Sequence, residues 1–78
     1  MPQKQIVIGR QPGRDIVLSL DTAVSRTHAQ IDFESGNYVV SDAGSSNGTF
    51  VNGQRITRHN LAPGDVIQVG ATKFRFEG

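Results

Sequence analysis

Apolar residues recur at every second position along this chain, in short bursts separated by clusters of Gly, Pro, Asn, Asp and Ser. A period of two sends successive side chains to opposite faces of an extended backbone, so the bursts predict strands. They fall at Gln5–Ile8, Ile16–Leu18, His28–Phe33, Asn37–Ser41, Phe50–Val51, Arg55–Ile56, Val66–Val69 and Thr72–Phe76. In the third, Ala29, Ile31 and Phe33 share one face, and His28, Gln30 and Asp32 share the other. Phe74 and Phe76 likewise share a face, which assigns both, with Phe33, to the core. Glu34-Ser35-Gly36 reads as a hairpin loop, and Gly70-Ala71 joins the last two strands. Asn52-Gly53 predicts a type I′ turn, because both central residues of that turn need positive φ. Pro63-Gly64-Asp65 is a turn that launches the strand from Val66, and the stretch from Gln54 to Leu61 reads as a loop around its short strand. No segment keeps apolar residues at i, i+3, i+4 and i+7 long enough for a helix. The pattern predicts an all-β sandwich or barrel of short strands.

Seventy-eight residues suffice for one domain, 1–78, with a compact core. With no cysteine there is neither a disulfide framework nor a thiolate zinc site, and His28 and His59 are too few for a metal centre. No metal and no cofactor is expected. Eight Lys and Arg stand against seven Asp and Glu, and the charges are scattered, which gives no reason to expect nucleic acid. No apolar stretch approaches a membrane span, and Met1-Pro2-Gln3-Lys4 lacks the apolar core of a signal peptide. The expectation is an intracellular, cytoplasmic domain without membrane contact.

Strand logic leaves three polar loops unexplained: Gly9-Arg10, Val24 to His28, and Asp42 to Thr49. The third contains two glycines, small hydroxyls, an asparagine and an aspartate with no bulky side chain. Such a loop bends sharply and turns backbone N–H groups and hydroxyls outward, which suits an anion. The second sets a hydroxyl beside a guanidinium just before a strand, and a guanidinium is a planar fork of donors suited to phosphate or carboxylate. Taken singly, each loop is compatible with an ordinary solvated surface.

Their order is more telling. Gly9-Arg10, then Ser25-Arg26-x-His28, then Ser46-Asn47-Gly48-Thr49-x-x-Asn52-Gly53 together resemble the defining pattern of forkhead-associated (FHA) domains. Asp15-Ile16-Val17-Leu18 and Leu61-x-Pro63-Gly64-Asp65-x-Ile67-x-Val69-Gly70 are similar to the same family, so the resemblance runs from Ile6 to Phe76. It implies a twisted, mostly antiparallel β-sandwich of the SMAD/FHA type whose loops at one end bind phosphothreonine in a partner protein. By resemblance, Arg10 pairs with phosphate oxygens, Ser25 donates its hydroxyl to the same group, and Arg26 and Ser46 add further donors. Asn47 bonds the peptide backbone beside the phosphothreonine. Gly9, His28, Gly48, Thr49, Asn52 and Gly53 support the binding loops, while Asp42 has no binding role. Family members begin with a strand upstream of the Gly-Arg strand, whereas only Met1 to Lys4 precede it here. The resemblance thus predicts a missing first strand, a bare or short sheet edge beside the Gly-Arg strand, and self-association through that edge.

Three rival readings fit the sequence less well. Ser25, His28 and Asp42 can be drawn as a hydrolase triad, but no Gly-x-Ser-x-Gly elbow is present. An oligonucleotide-binding barrel needs exposed aromatics along a basic groove, and Phe33, Phe74 and Phe76 fit a core face instead. A related scaffold that binds protein without phosphate would have lost the arginine or the serine, and this chain keeps both.

Overall fold

The computed structural model describes residues 5–77; Met1 to Lys4, on which the expectation of a missing first strand rests, lie outside them. The described chain is all strand and turn: β1 (Ile6–Gly9), β2 (Ile16–Val17), β3 (Ala29–Glu34), β4 (Asn37–Asp42), β5 (Thr49–Val51), β6 (Gln54–Ile56), β7 (Arg58–Asn60), β8 (Val66–Val69) and β9 (Thr72–Arg75). One sheet has the order β2-β1-β3-β4-β7 and the other β6-β5-β8-β9. Every pairing is antiparallel except β1 with β2. Among the described residues no helix is long and apolar enough to cross a membrane.

The sheets meet through alternate side chains. Ile8, Ala29 and Val40 come from one and Val51, Ile67 and Val69 from the other, with Val24 and Leu61 contributed by loops. The largest fully buried side chains are Ile8, His28, Val24, Val40, Val69 and Thr49, so β-branched residues rather than aromatic rings fill the centre. Asn52 (φ 52°) and Gly53 (φ 84°) both adopt the positive φ expected of their turn.

Three expectations need correction. Phe33 lies outside the main cluster; it stacks on Tyr38 at 4.8 Å between centroids, and Tyr38 meets Phe76 at 5.5 Å. Its ring is half-buried in this aromatic cluster instead. His28, assigned to the polar face, is fully buried, because it precedes β3 and swings inward to join two loops. Arg58-His59-Asn60 is a strand rather than a loop, pairing with β4 through Val40↔His59. As an edge strand with one half-buried residue it carries no apolar alternation for a sequence reading to detect.

The edge beside the Gly-Arg strand is short but not bare. The two-residue β2 pairs with β1 through Ile8↔Ile16 and Gly9↔Val17. Among the described residues the open edges are β2, β7, β6 and β9, of which β9, with four residues, is the longest.

Candidate functional site

The site begins where β1 ends. Gly9 is packed so closely against the next loop that a Cβ there would overlap the Arg26 carbonyl. That close approach lets the Arg10 N–H donate to the Ser25 carbonyl (3.0 Å) and the Gln11 N–H donate to the Arg26 carbonyl (3.3 Å). Arg10 and Arg26 are thereby laced side by side, exposed, and line one cleft with Gln11 and Pro12. Among the described residues neither guanidinium has an ion-pair partner.

His28 ties this region to the loop after β4. The Ser25 N–H donates to His28 Nδ1 (3.1 Å), and His28 Nε2 lies 2.8 Å from the Gly48 carbonyl. A backbone N–H can only donate and a carbonyl can only accept, so Nδ1 is bare and Nε2 carries the proton. The buried ring is thus neutral, with both nitrogens satisfied. Ser25 Oγ in turn accepts the Ser46 N–H (3.0 Å), which leaves its own O–H free to donate outward.

The loop from Asp42 to Gly48 is shaped by Asp42. Its carboxylate accepts the Ser45 and Thr49 hydroxyls and the N–H groups of Gly44 and Ser45. Partial burial works against that charge, but the hydroxyls and N–H groups outweigh it and hold the carboxyl below its usual range. The Ser45 hydroxyl also accepts the Gly48 N–H (2.9 Å), closing the loop beneath Ser46 and Asn47. Asn47 reaches across to the Ser25 loop, its amide donating to the Ala23 carbonyl (2.7 Å). Arg10, Ser25, Arg26, Ser46 and Asn47 therefore gather at one end of the sandwich, where Arg10, Arg26, Ser46 and Asn47 are exposed and the Asp42 carboxylate is hydrogen-bonded within its own loop and to Thr49.

The family model for the FHA domain matches residues 6–70, the stretch that contains all three loops. The chain belongs to the FHA family. It is 48% identical over 67 residues to the glycogen accumulation regulator GarA of Mycolicibacterium smegmatis, covering 86% of this chain and 40% of that protein. EmbR of Mycobacterium tuberculosis, solved with a low-affinity phosphopeptide, superimposes with a TM-score of 0.89 at 40% identity, covering 94% of this chain and 19% of EmbR. A domain solved for a structural and functional analysis of phosphothreonine-dependent FHA domain interactions aligns at TM-score 0.84 and 34% identity, covering 94% of this chain and 75% of that one. This FHA domain spans about half or less of the curated relatives' length.

Two of the residues expected to support the FHA loops lie elsewhere. Asn52 and Gly53 cap the far end of β5, where the Asn52 side chain bonds Asp65 (3.0 Å) and the Val66 N–H (3.0 Å). The turn they make joins β5 to β6, and Asn52 bridges it to the turn before β8. Conversely, Asp21 escaped notice. Its carboxylate accepts the Ala23 N–H (3.0 Å), the Ala71 N–H (2.8 Å) and the Thr72 hydroxyl (2.7 Å), clamping the β8–β9 turn to the Ser25 loop. The Thr72 hydroxyl, then the two N–H groups, hold its carboxyl below the ordinary value. An Asp two residues before Ala23 is a plain Asx-turn signal, but its cross-sheet partners are invisible in sequence. Asp21 also lines a separate groove with Leu18, Leu20, Thr22, Ala71 and Thr72.

Proposed function

We propose that this FHA domain binds phosphothreonine in a protein partner and performs no catalysis. The observation that carries the reading is the convergence of two guanidinium groups, without ion-pair partners among the described residues, with a hydroxyl whose proton is free, at Arg10, Arg26 and Ser25. A phosphothreonine brings about −1.5 to −2 charge at pH 7 and three strong acceptor oxygens, which such donors fit. Arg10 and Arg26 take phosphate oxygens, Ser25 and Ser46 add hydroxyl donors, and Asn47 holds the peptide backbone in register. Gly9, His28, Gly48 and Thr49 keep those groups in place. The phosphopeptide in the EmbR complex and the phosphothreonine dependence reported for the other FHA neighbour support this assignment.

Hydrogen bonds to charged groups contribute about 1.5–3 kcal/mol each, so two or three, less the cost of ordering a peptide, give affinity on the order of micromolar. That strength suits reversible signalling in an intracellular setting. Balanced charge favours neither nucleic acid nor a membrane surface as partner. Titrating a phosphothreonine peptide library against its unphosphorylated counterpart tests the reading. Phosphorylated peptides are expected to bind and phosphoserine versions to bind more weakly; equal binding without phosphate would remove the proposed function.

A further inference from the structure

Phe50 is the one phenylalanine that the core, the aromatic cluster and the site leave without a role. On β5 it alternates with Thr49 and Val51, both buried, so it stands on the outer face of its sheet, half-exposed. The register places it in a row with one residue from every other strand of that sheet: Arg55 on β6, Gln68 on β8 and Lys73 on β9. Four strands at about 4.8 Å make this row about 14 Å across. It has a cation at each end, an aromatic ring and an amide between. Among the described residues neither Arg55 nor Lys73 has an ion-pair partner.

The row is joined to the phosphate site by Arg55. Thr49↔Ile56 and Phe50↔Arg55 make Gly48 the diagonal neighbour of Arg55 on this outer face, within reach of a long side chain. Arg55 uses that reach. A Cβ on Gly48 would lie 2.7 Å from Arg55 Nε and 3.1 Å from its Cζ, so the guanidinium drapes over the residue that follows Asn47. The absence of a side chain at Gly48, together with its φ of 88°, makes the room. Among the described residues neither Asp42 nor Asp21 forms an ion pair with the Arg55 guanidinium.

We propose that this row is a second contact surface, which receives an acidic segment of the same phosphorylated partner as it runs off the site past Asn47. The proposal rests on the phosphothreonine reading and adds to it the chemistry of the partner: carboxylates flanking the phosphothreonine on one side, with an apolar residue able to lie on Phe50. Arg55 is the first reader and Lys73 the last.

Fluorescein-labelled phosphothreonine peptides with an Asp-rich or a length-matched neutral tail, placed before or after the phosphothreonine, test it. On one of the two sides the acidic tail is expected to tighten binding about fivefold or more (~1 kcal/mol), and the gain is expected to shrink as salt is raised. The double variant Arg55→Gln, Lys73→Gln should bind both tails equally while melting at the unaltered temperature. Backbone NMR shifts of Phe50 and Gln68 should respond to the acidic tail and not to the neutral one. A tail gain that survives the double variant, or no gain on either side, overturns the second surface while leaving phosphothreonine binding intact. A variant that weakens both peptides in parallel makes Arg55 a loop support and overturns it as well. Equal binding of unphosphorylated peptides instead defeats the reading on which it rests.

Discussion

Ser25 shows how much one small residue can do when its neighbours take complementary roles. Its N–H is given to His28, its carbonyl to Arg10, and its oxygen accepts from Ser46, so only the hydroxyl proton remains for a ligand. Arg10, by contrast, is tied through its backbone and leaves its side chain exposed. Arg10→Ala and Ser25→Ala are each expected to weaken phosphopeptide binding by about tenfold or more, at ~1.4 kcal/mol per decade, without unfolding the domain. Calorimetric titration beside a thermal melt checks both; unfolding of either variant would make that residue structural. His28→Ala has the opposite signature. It strands the partly buried Ser25 N–H and the buried Gly48 carbonyl and opens a cavity between two loops, so a stability loss of about 2–4 kcal/mol is expected in chemical denaturation. Binding should then fail because the loops part, and an unchanged denaturation midpoint would show that the ring bridges nothing of consequence.

At the scale of elements, three aspartates in turns and loops tie the short strands together. Asp42 organises the loop that carries Ser46 and Asn47, Asp21 joins the Ser25 loop to the β8–β9 turn, and Asp65 joins the turn before β8 to Asn52 and His59. All three carboxyls lie below the ordinary 3.8, Asp65 chiefly through the Ala62 N–H and the Asn52 amide. A carboxyl lowered by folding stabilises the native state in full above its unfolded value and loses that contribution as pH falls through the folded one. The melting temperature is therefore expected to hold down to about pH 4 and to fall below it. Phosphopeptide binding should fade earlier, below about pH 6, as the phosphate takes its second proton. Paired titrations of binding and melting separate the two; a flat binding profile between about pH 7 and 5 would argue against a dianionic ligand. The turns at Asn52-Gly53 and Pro63-Gly64-Asp65, the strands flanking the first and the strand after the second were legible because turn chemistry is local. β7 was not, since its pairing with β4 is decided by position at a sheet edge rather than by its own residues.

For the whole molecule, the open question set by the sequence is whether a bare edge drives self-association. β2 already covers β1, so the edge of greatest length is β9, whose outward residues Lys73 and Arg75 are basic. Like charges facing each other across a new interface oppose pairing, as natural edge strands commonly do. Association through β9 is accordingly expected to be weak and to strengthen with salt. Sedimentation velocity across concentration at low and high salt tests this; a constant monomer under every condition rules out the edge as an interface.

The alternation of apolar residues and the chemistry of the turns were sufficient to determine an all-β chain, because strand periodicity and positive-φ turns depend on near neighbours alone. The ordered Gly-Arg, Ser-Arg-x-His and Ser-Asn-Gly motifs were sufficient to single out the residues of the proposed site by family resemblance. Only the tertiary structure decided which of them meet. Contacts between Gly9 and Arg26, His28 and Gly48, or Asp21 and Thr72 join segments far apart in the chain. Their geometry follows from how two sheets stack, which no local stretch of sequence encodes.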